Sequence, residues 1–141
     1  VGTYLMMSHA ARAMLALAPI AETDQRGVII NTASVAWQDG QLGQAAYAAS
    51  KGGVASMCLP AARELGQYGV RVMTIAPGLF ETPMTDGLPD DVREAIGGDI
   101  PFPSRLGLAE EYALLAAQIV ENPYLNGTVI RLDGALRLPR K

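Results

Sequence analysis

The sequence predicts an α/β fold, a parallel β-sheet with helices packed on it, and three observations carry that reading. Val28-Ile29-Ile30 and Val70 to Ala76 are short, continuous apolar runs of the kind a doubly covered parallel strand shows. These runs alternate with helix-length segments, an order that implies right-handed crossovers within one sheet. The 141 residues, half of them hydrophobic and 18% charged, suit a single globular domain.

The elements follow in order. Val1 to Ala18 reads as a helix rich in Ala, Leu and Met, stopped by Pro19 and lacking an N-cap signal, as if entered part-way along. Gly27 releases the first strand, which ends at Thr32-Ala33-Ser34. Val35–Gly43 reads as a loop forming one wall of a cleft. Gln44–Leu65 reads as a long helix with a small-residue surface (Ala45, Ala46, Ala48, Ala49, Gly52, Gly53), kinked at Pro60 and closed by Gly66 and Gly69. Val70–Ala76 is the second strand, ended by Pro77-Gly78. Asp86–Ile100 reads as a lid, and Pro101–Leu108 as irregular chain held by the charge of Arg105. Glu110–Glu121 reads as an amphipathic helix with Leu114, Leu115, Ile119 and Val120 on its apolar side, and Asn122-Pro123 stops it. Asn126-Gly127 turns into the third strand, Thr128–Leu132, which Asp133-Gly134 ends. Arg137, Arg140 and Lys141 read as a solvated tail.

Composition excludes several functions. The net charge is −3 and no basic stripe invites nucleic acid. No apolar run approaches the roughly 20 residues of a membrane span. Arg12 interrupts the opening segment, which has no charged n-region before it, so it does not read as a secretion signal. Cys58 is the single cysteine, which excludes an internal disulfide, fits a reducing, cytoplasmic setting, and reads as buried and inert. His9 is the only histidine and nothing around it resembles a hydrolase nucleophile elbow.

The chemistry concentrates in Gln44–Lys51. Residues four apart share one helix face, which sets the Tyr47 phenol beside the Lys51 ammonium. A nearby cation favours a phenolate, and that brings a tyrosine toward general acid–base work. Such a pair alone is usually a pair of surface neighbours. Ser34, thirteen residues upstream of Tyr47 at a strand end, raises its weight. In an open parallel sheet ligands bind beyond the carboxyl ends of the strands, where a serine hydroxyl can polarise a substrate oxygen.

Ser34, Tyr47 and Lys51 in this order resemble the catalytic set of the short-chain dehydrogenase/reductase family. Gly27-Val-Ile-Ile-Asn-Thr-Ala-Ser34, Gly43-Gln-Ala-Ala-Tyr47, Val70-Arg-Val-Met-Thr-Ile-Ala-Pro-Gly78, Pro101-Phe-Pro-Ser-Arg-Leu-Gly107 and Ile130-Arg-Leu-Asp-Gly134 extend the likeness. Together with Met73, where many members have Asn, they point to a branch of hydroxyacyl-CoA and hydroxysteroid dehydrogenases. The resemblance implies a Rossmann-like sheet, of which these residues form the carboxyl-terminal, catalytic portion (1–141) of one domain. The glycine-rich dinucleotide turn has no counterpart in the chain, so a bare first-strand edge is expected to need a cover. The likeness also implies NAD as cofactor, with NADP the alternative. It makes Tyr47, Lys51, Pro77, Gly78, Phe80 and Thr82 cofactor contacts and Ser34 the anchor of the substrate oxygen. It further implies an acyl-CoA or secondary-alcohol substrate of fatty-acid metabolism and a homo-oligomer, a tetramer, with a seam along the long helix. Rival expectations are a 3-oxoacyl-carrier-protein, steroid or sugar-alcohol dehydrogenase, or an inactive scaffold. The isolated piece is expected to be inactive.

Overall fold

A computed structural model describes residues 1–83, 87 and 97–140. Among the described residues seven elements follow one another: α1 (Gly2–Leu15), β1 (Gly27–Thr32), a 3₁₀ turn (Val35–Trp37), α2 (Ala45–Gly66), β2 (Val70–Pro77), α3 (Ala109–Glu121) and β3 (Val129–Leu132). The strands form one parallel sheet in the order β1-β2-β3. Gly27 pairs with Val70 and Thr32 with Ile75, while Thr74 pairs with Val129 and Pro77 with Leu132.

β2 is the centre because both its faces are covered. Val70 and Val72 face α1 and α2, packing with Met7, Ala11, Ile29, Cys58 and Ala62. Met73 and Ile75 face α3 and pack on Ile119, with Val28, Ile30, Tyr112 and Leu115 around them. Period-two alternation along a strand with helices on both sides explains why the run shows no polar breaks. The exceptions, both buried, are Thr74 and, as the one charge in the run, Arg71. Its guanidinium donates to the carbonyls of Ile119, Val120 and Leu125 and to Gln25 Oε1, at 2.8–3.0 Å. It thus sits as a cation at the carboxyl end of α3, where the helix dipole and unmet carbonyls favour one.

Several boundaries differ from the sequence expectation. α1 ends at Leu15 rather than Ala18. Its last turn tightens through Ala16 N–H to Ala13 and Leu17 N–H to Met14, and Arg26 Nε takes the Leu17 carbonyl. Ala18 precedes a proline, which disfavours helical backbone there. α2 begins at Ala45 and ends at Gly66, one residue later at each end than expected, with Pro60 inside it. The carbonyl that loses its donor belongs to Ser56, which is exposed and can turn to water. Val35–Gly43 is partly helical, its 3₁₀ turn started by Ser34. On α3 the buried stripe is Tyr112, Leu115, Ala116 and Ile119, the 3.6-residue period. Leu114 and Val120 stand roughly 150° and 90° from the centre of that stripe and are exposed. The lid reading at Asp86–Ile100 falls mostly outside the described residues, as does Lys141.

Among the described residues β1 pairs only with β2, which leaves its other edge without a strand. No helix among them is long and apolar enough to cross a membrane, and no group of three or more His, Cys, Asp or Glu could hold a metal. Cys58 is free and buried, and desolvation pushes its thiol above the usual value.

Candidate active site

Because the three strands are parallel, their carboxyl ends share one edge, and the chain sews these ends together. Gly78 N–H donates to Leu132 O at 2.9 Å. A Cβ on Gly78 would lie 2.8 Å from the Asp133 Cβ and 3.0 Å from its Cα, so this crossing requires glycine. Ala33 N–H donates to Ile75 O and carries the pairing one residue beyond β1.

Ser34 stands just after that point. Its Oγ accepts the Ala36 N–H at 3.2 Å, so its own hydroxyl hydrogen is left to donate. The turn it opens packs against α2, whose second residue after Ala45 is Tyr47. One turn further on, Lys51 Nζ lies 5.9 Å from the centre of the Tyr47 ring. The same ammonium donates to Thr32 O at 3.3 Å, two residues before Ser34. Lys51 therefore links the helix carrying Tyr47 to the strand end carrying Ser34. Tyr47 is 47% exposed.

The loop after β2 makes a second part of the edge. Pro77, Gly78, Phe80 and Thr82 line one cavity of about 420 Å³ with Leu79, Glu81, Ala109 and Tyr112. Ser34, Tyr47 and Lys51 are not in its wall; Lys51 lines a separate groove with Tyr4 of α1 and Ser50, Val54 and Met57 of α2. The four loop residues are thus brought together, and the Tyr47–Lys51 pair lies beside them rather than in one enclosed pocket.

The loop is held from below. Glu81 N–H donates to Gly107 O at 2.8 Å and Gly107 N–H to Leu79 O at 2.9 Å. The Phe80 ring lies so close over Gly107 that a Cβ there would sit 2.7 Å from Phe80 Cε1. Arg105 fastens the stretch below, as its charge suggested, by forking onto Glu111 at 2.8 and 3.0 Å. That fork, with the Leu108 N–H, pulls the Glu111 carboxyl down to about 2.

Sequence reasoning missed two features. Arg131 of β3 donates to Asp39 (2.6 Å), Asp133 (2.7 Å), Gln38 (2.8 Å) and Leu136 O (2.9 Å), so it clamps the wall loop behind Ser34. The bond from Arg131 holds the Asp39 carboxyl below its ordinary value. The hydroxyls of Thr32 and Tyr112 meet at 2.7 Å. Tyr112 could have been noticed, because a helix returning from β2 begins at the carboxyl edge and its first turn must lie there. For Arg131 no local pattern signals a partner 92 residues away.

A parallel sheet with helices on both faces, bearing a serine at one strand end and a Tyr-x-x-x-Lys pair at its side, defines a class, and the comparisons agree. Residues 1–93 match the family model "short chain dehydrogenase", and the chain belongs to that family. It is similar to 3-hydroxyacyl-CoA dehydrogenase type-2 of Rattus norvegicus, 63% identical over 114 residues, 81% of this chain and 44% of the relative. The protein of that name from Drosophila melanogaster is 56% identical over 98% of this chain and 54% of its own length. A crystal structure of 3-hydroxyacyl-CoA dehydrogenase type-2 from Mycobacterium avium superposes with a TM-score of 0.96 at 43% identity, covering 99% of this chain and 54% of that one. The chain therefore spans about half the length of the relatives it matches.

Proposed function

We propose that residues 1–141 act as the catalytic portion of an oxidoreductase that moves a hydride between NAD and a secondary alcohol or ketone, with 3-hydroxyacyl-CoA compounds as the substrate class. The observation that carries this reading is the Tyr47–Lys51 pair, tied through Lys51 Nζ to the backbone of the strand end that precedes Ser34. The names of the similar dehydrogenases support the substrate class.

The loop cavity fits a flat heteroaromatic ring, since Pro77, Leu79, Phe80 and Tyr112 give it apolar walls at about 420 Å³. Pro77, Gly78, Phe80 and Thr82 would hold the nicotinamide end of a dinucleotide, and Tyr47 and Lys51 its ribose. When bound, the nicotinamide group accepts or supplies the hydride. Ser34 donates its hydroxyl hydrogen to the substrate oxygen. Tyr47 takes the alcohol proton in oxidation and returns it in reduction. The glycine-rich turn that grips a dinucleotide's phosphates is not among these residues, so the reading assigns that grip to a complementary nucleotide-binding half. That half would also cover the open edge of β1. The exposed Tyr4, Leu5 and Met6 of α1, beside the exposed Ala45, Ala46 and Ala49 of α2, support a homo-oligomer seam.

The test is a panel of 3-oxoacyl-CoA, 3-oxoacyl-carrier-protein and steroid ketones, each with NADH and NADPH, given to a polypeptide carrying these residues together with such a half. The expected result is the highest kcat/KM with 3-oxoacyl-CoA and NADH. Ketone-independent or absent oxidation across the panel rejects the reading in favour of a scaffold.

A further inference from the structure

Between the two parts of the edge runs one chain of contacts. Lys51 Nζ donates to Thr32 O at 3.3 Å. The Thr32 hydroxyl meets the Tyr112 hydroxyl at 2.7 Å. The Tyr112 ring stands edge-on to Phe80, with centroids 6.2 Å apart and planes at 85°. Phe80 in turn is bridged to Gly107 and lies over its bare Cα. Tyr112 is half-buried and lines the loop cavity. Its side chain thus ties that cavity's wall to β1.

We infer that Tyr112 is a positioning residue for the cofactor. Through its hydroxyl on Thr32 and its ring on Phe80, it sets the cofactor loop relative to the strand end that holds Lys51. This rests on the reading above of Pro77–Thr82 as the nicotinamide loop, and adds to it a residue on a different helix. A packing role alone would need no hydroxyl. Phenylalanine fills the same space, edge-to-face contact with Phe80 survives the change, and α3 already has Leu115 and Ile119 to seat it. The hydroxyl pair instead fixes the ring's depth and hence where Phe80 stands. Preorganised walls lower the ordering cost of a ligand, so loosening them weakens binding of the dinucleotide.

The test is a double-mutant cycle on Tyr112→Phe and Thr32→Val in the complemented polypeptide, with the Kd for NADH read by fluorescence titration and melting followed in parallel. Losing one hydrogen bond of this kind corresponds to about 3–10-fold in Kd. Each single variant is expected to weaken NADH by that factor, and the double variant by no more than either single, because both remove one link. Thr32→Ser keeps the hydroxyl and is expected to retain wild-type affinity. KM for the dinucleotide should rise by more than kcat falls. Wild-type Kd in both single variants, or fully additive losses, overturns the inference while leaving the proposed function intact. A wild-type polypeptide that binds no NADH defeats that function and the inference together.

Discussion

Arg131 and Tyr47 stand at the same edge of one sheet and are built in opposite ways. Arg131 has a side chain 17% exposed and four partners, two of them carboxylates. Below it, Asp133 also receives Arg137 and the Ala135 N–H. Tyr47 is 47% exposed, and the Lys51 ammonium lies 5.9 Å from the centre of its ring. One region saturates its polar groups, as an occluded network must to avoid the cost of unpaired charge. The other leaves a phenol, an ammonium and a serine hydroxyl hydrogen with capacity to spare. Groups that exchange protons with a substrate cannot be spent on the scaffold. On the proposed reading, the difference separates what holds the edge from what would work there.

The contrast can be broken at several points. Lys51→Met removes the cation beside Tyr47 and the bond to Thr32 O, and kcat/KM is expected to fall by about 10²–10³-fold. Turnover within twofold of wild type would make the Tyr47–Lys51 pair a surface accident. Arg71→Leu leaves the carbonyls of Ile119 and Val120 at the end of α3, and that of Leu125 beyond it, without their donor, and a chemical denaturation curve should lose about 2–4 kcal/mol. An unchanged midpoint would mean that water replaces the guanidinium at no cost. Gly107→Ala drives a Cβ to within 2.7 Å of the Phe80 ring and should cost about 1–3 kcal/mol, with weaker NADH binding alongside.

The smallest effect concerns pH. Asp39 is held below its ordinary value of 3.8 by Arg131. A depressed carboxyl contributes stability that is present above its unfolded value and is lost as pH falls through the folded one. Asp39→Asn should therefore lose about 1–2 kcal/mol near neutrality, and less as the pH drops below about 4. An equal loss at pH 7 and pH 3 would remove Arg131–Asp39 from the clamp.

Much of the architecture was legible because it rests on local patterns. Continuous apolar runs mark β1 and β2, a Pro-Gly pair ends β2, and Asn122-Pro123 stops α3. Tyr47 and Lys51 were legible because a helix makes residues four apart into neighbours. The features that escaped depend on distant chain meeting in space. Nothing near Arg131 announces Asp39, and nothing near Arg71 announces the end of α3. The apolar face of α3 was misjudged at Leu114 and Val120 because hydrophobicity was counted without strict phase; Tyr112, in phase and polar at its tip, was passed over for the same reason. The loop cavity and the groove beside Lys51 are lined by different residues. Neither spacing nor motif encodes the distance between two strand ends, so their separation could be learned only from coordinates.

The central claim is that the Tyr47 hydroxyl carries the proton in hydride transfer. Single-turnover reduction of a 3-oxoacyl-CoA by NADH, wild type against Tyr47→Phe in the complemented polypeptide, tests it most directly. The ring and its packing stay and only the proton carrier goes, so the rate is expected to fall by about 10²–10⁴-fold with NADH still bound. Equal rates in the two proteins would contradict the account.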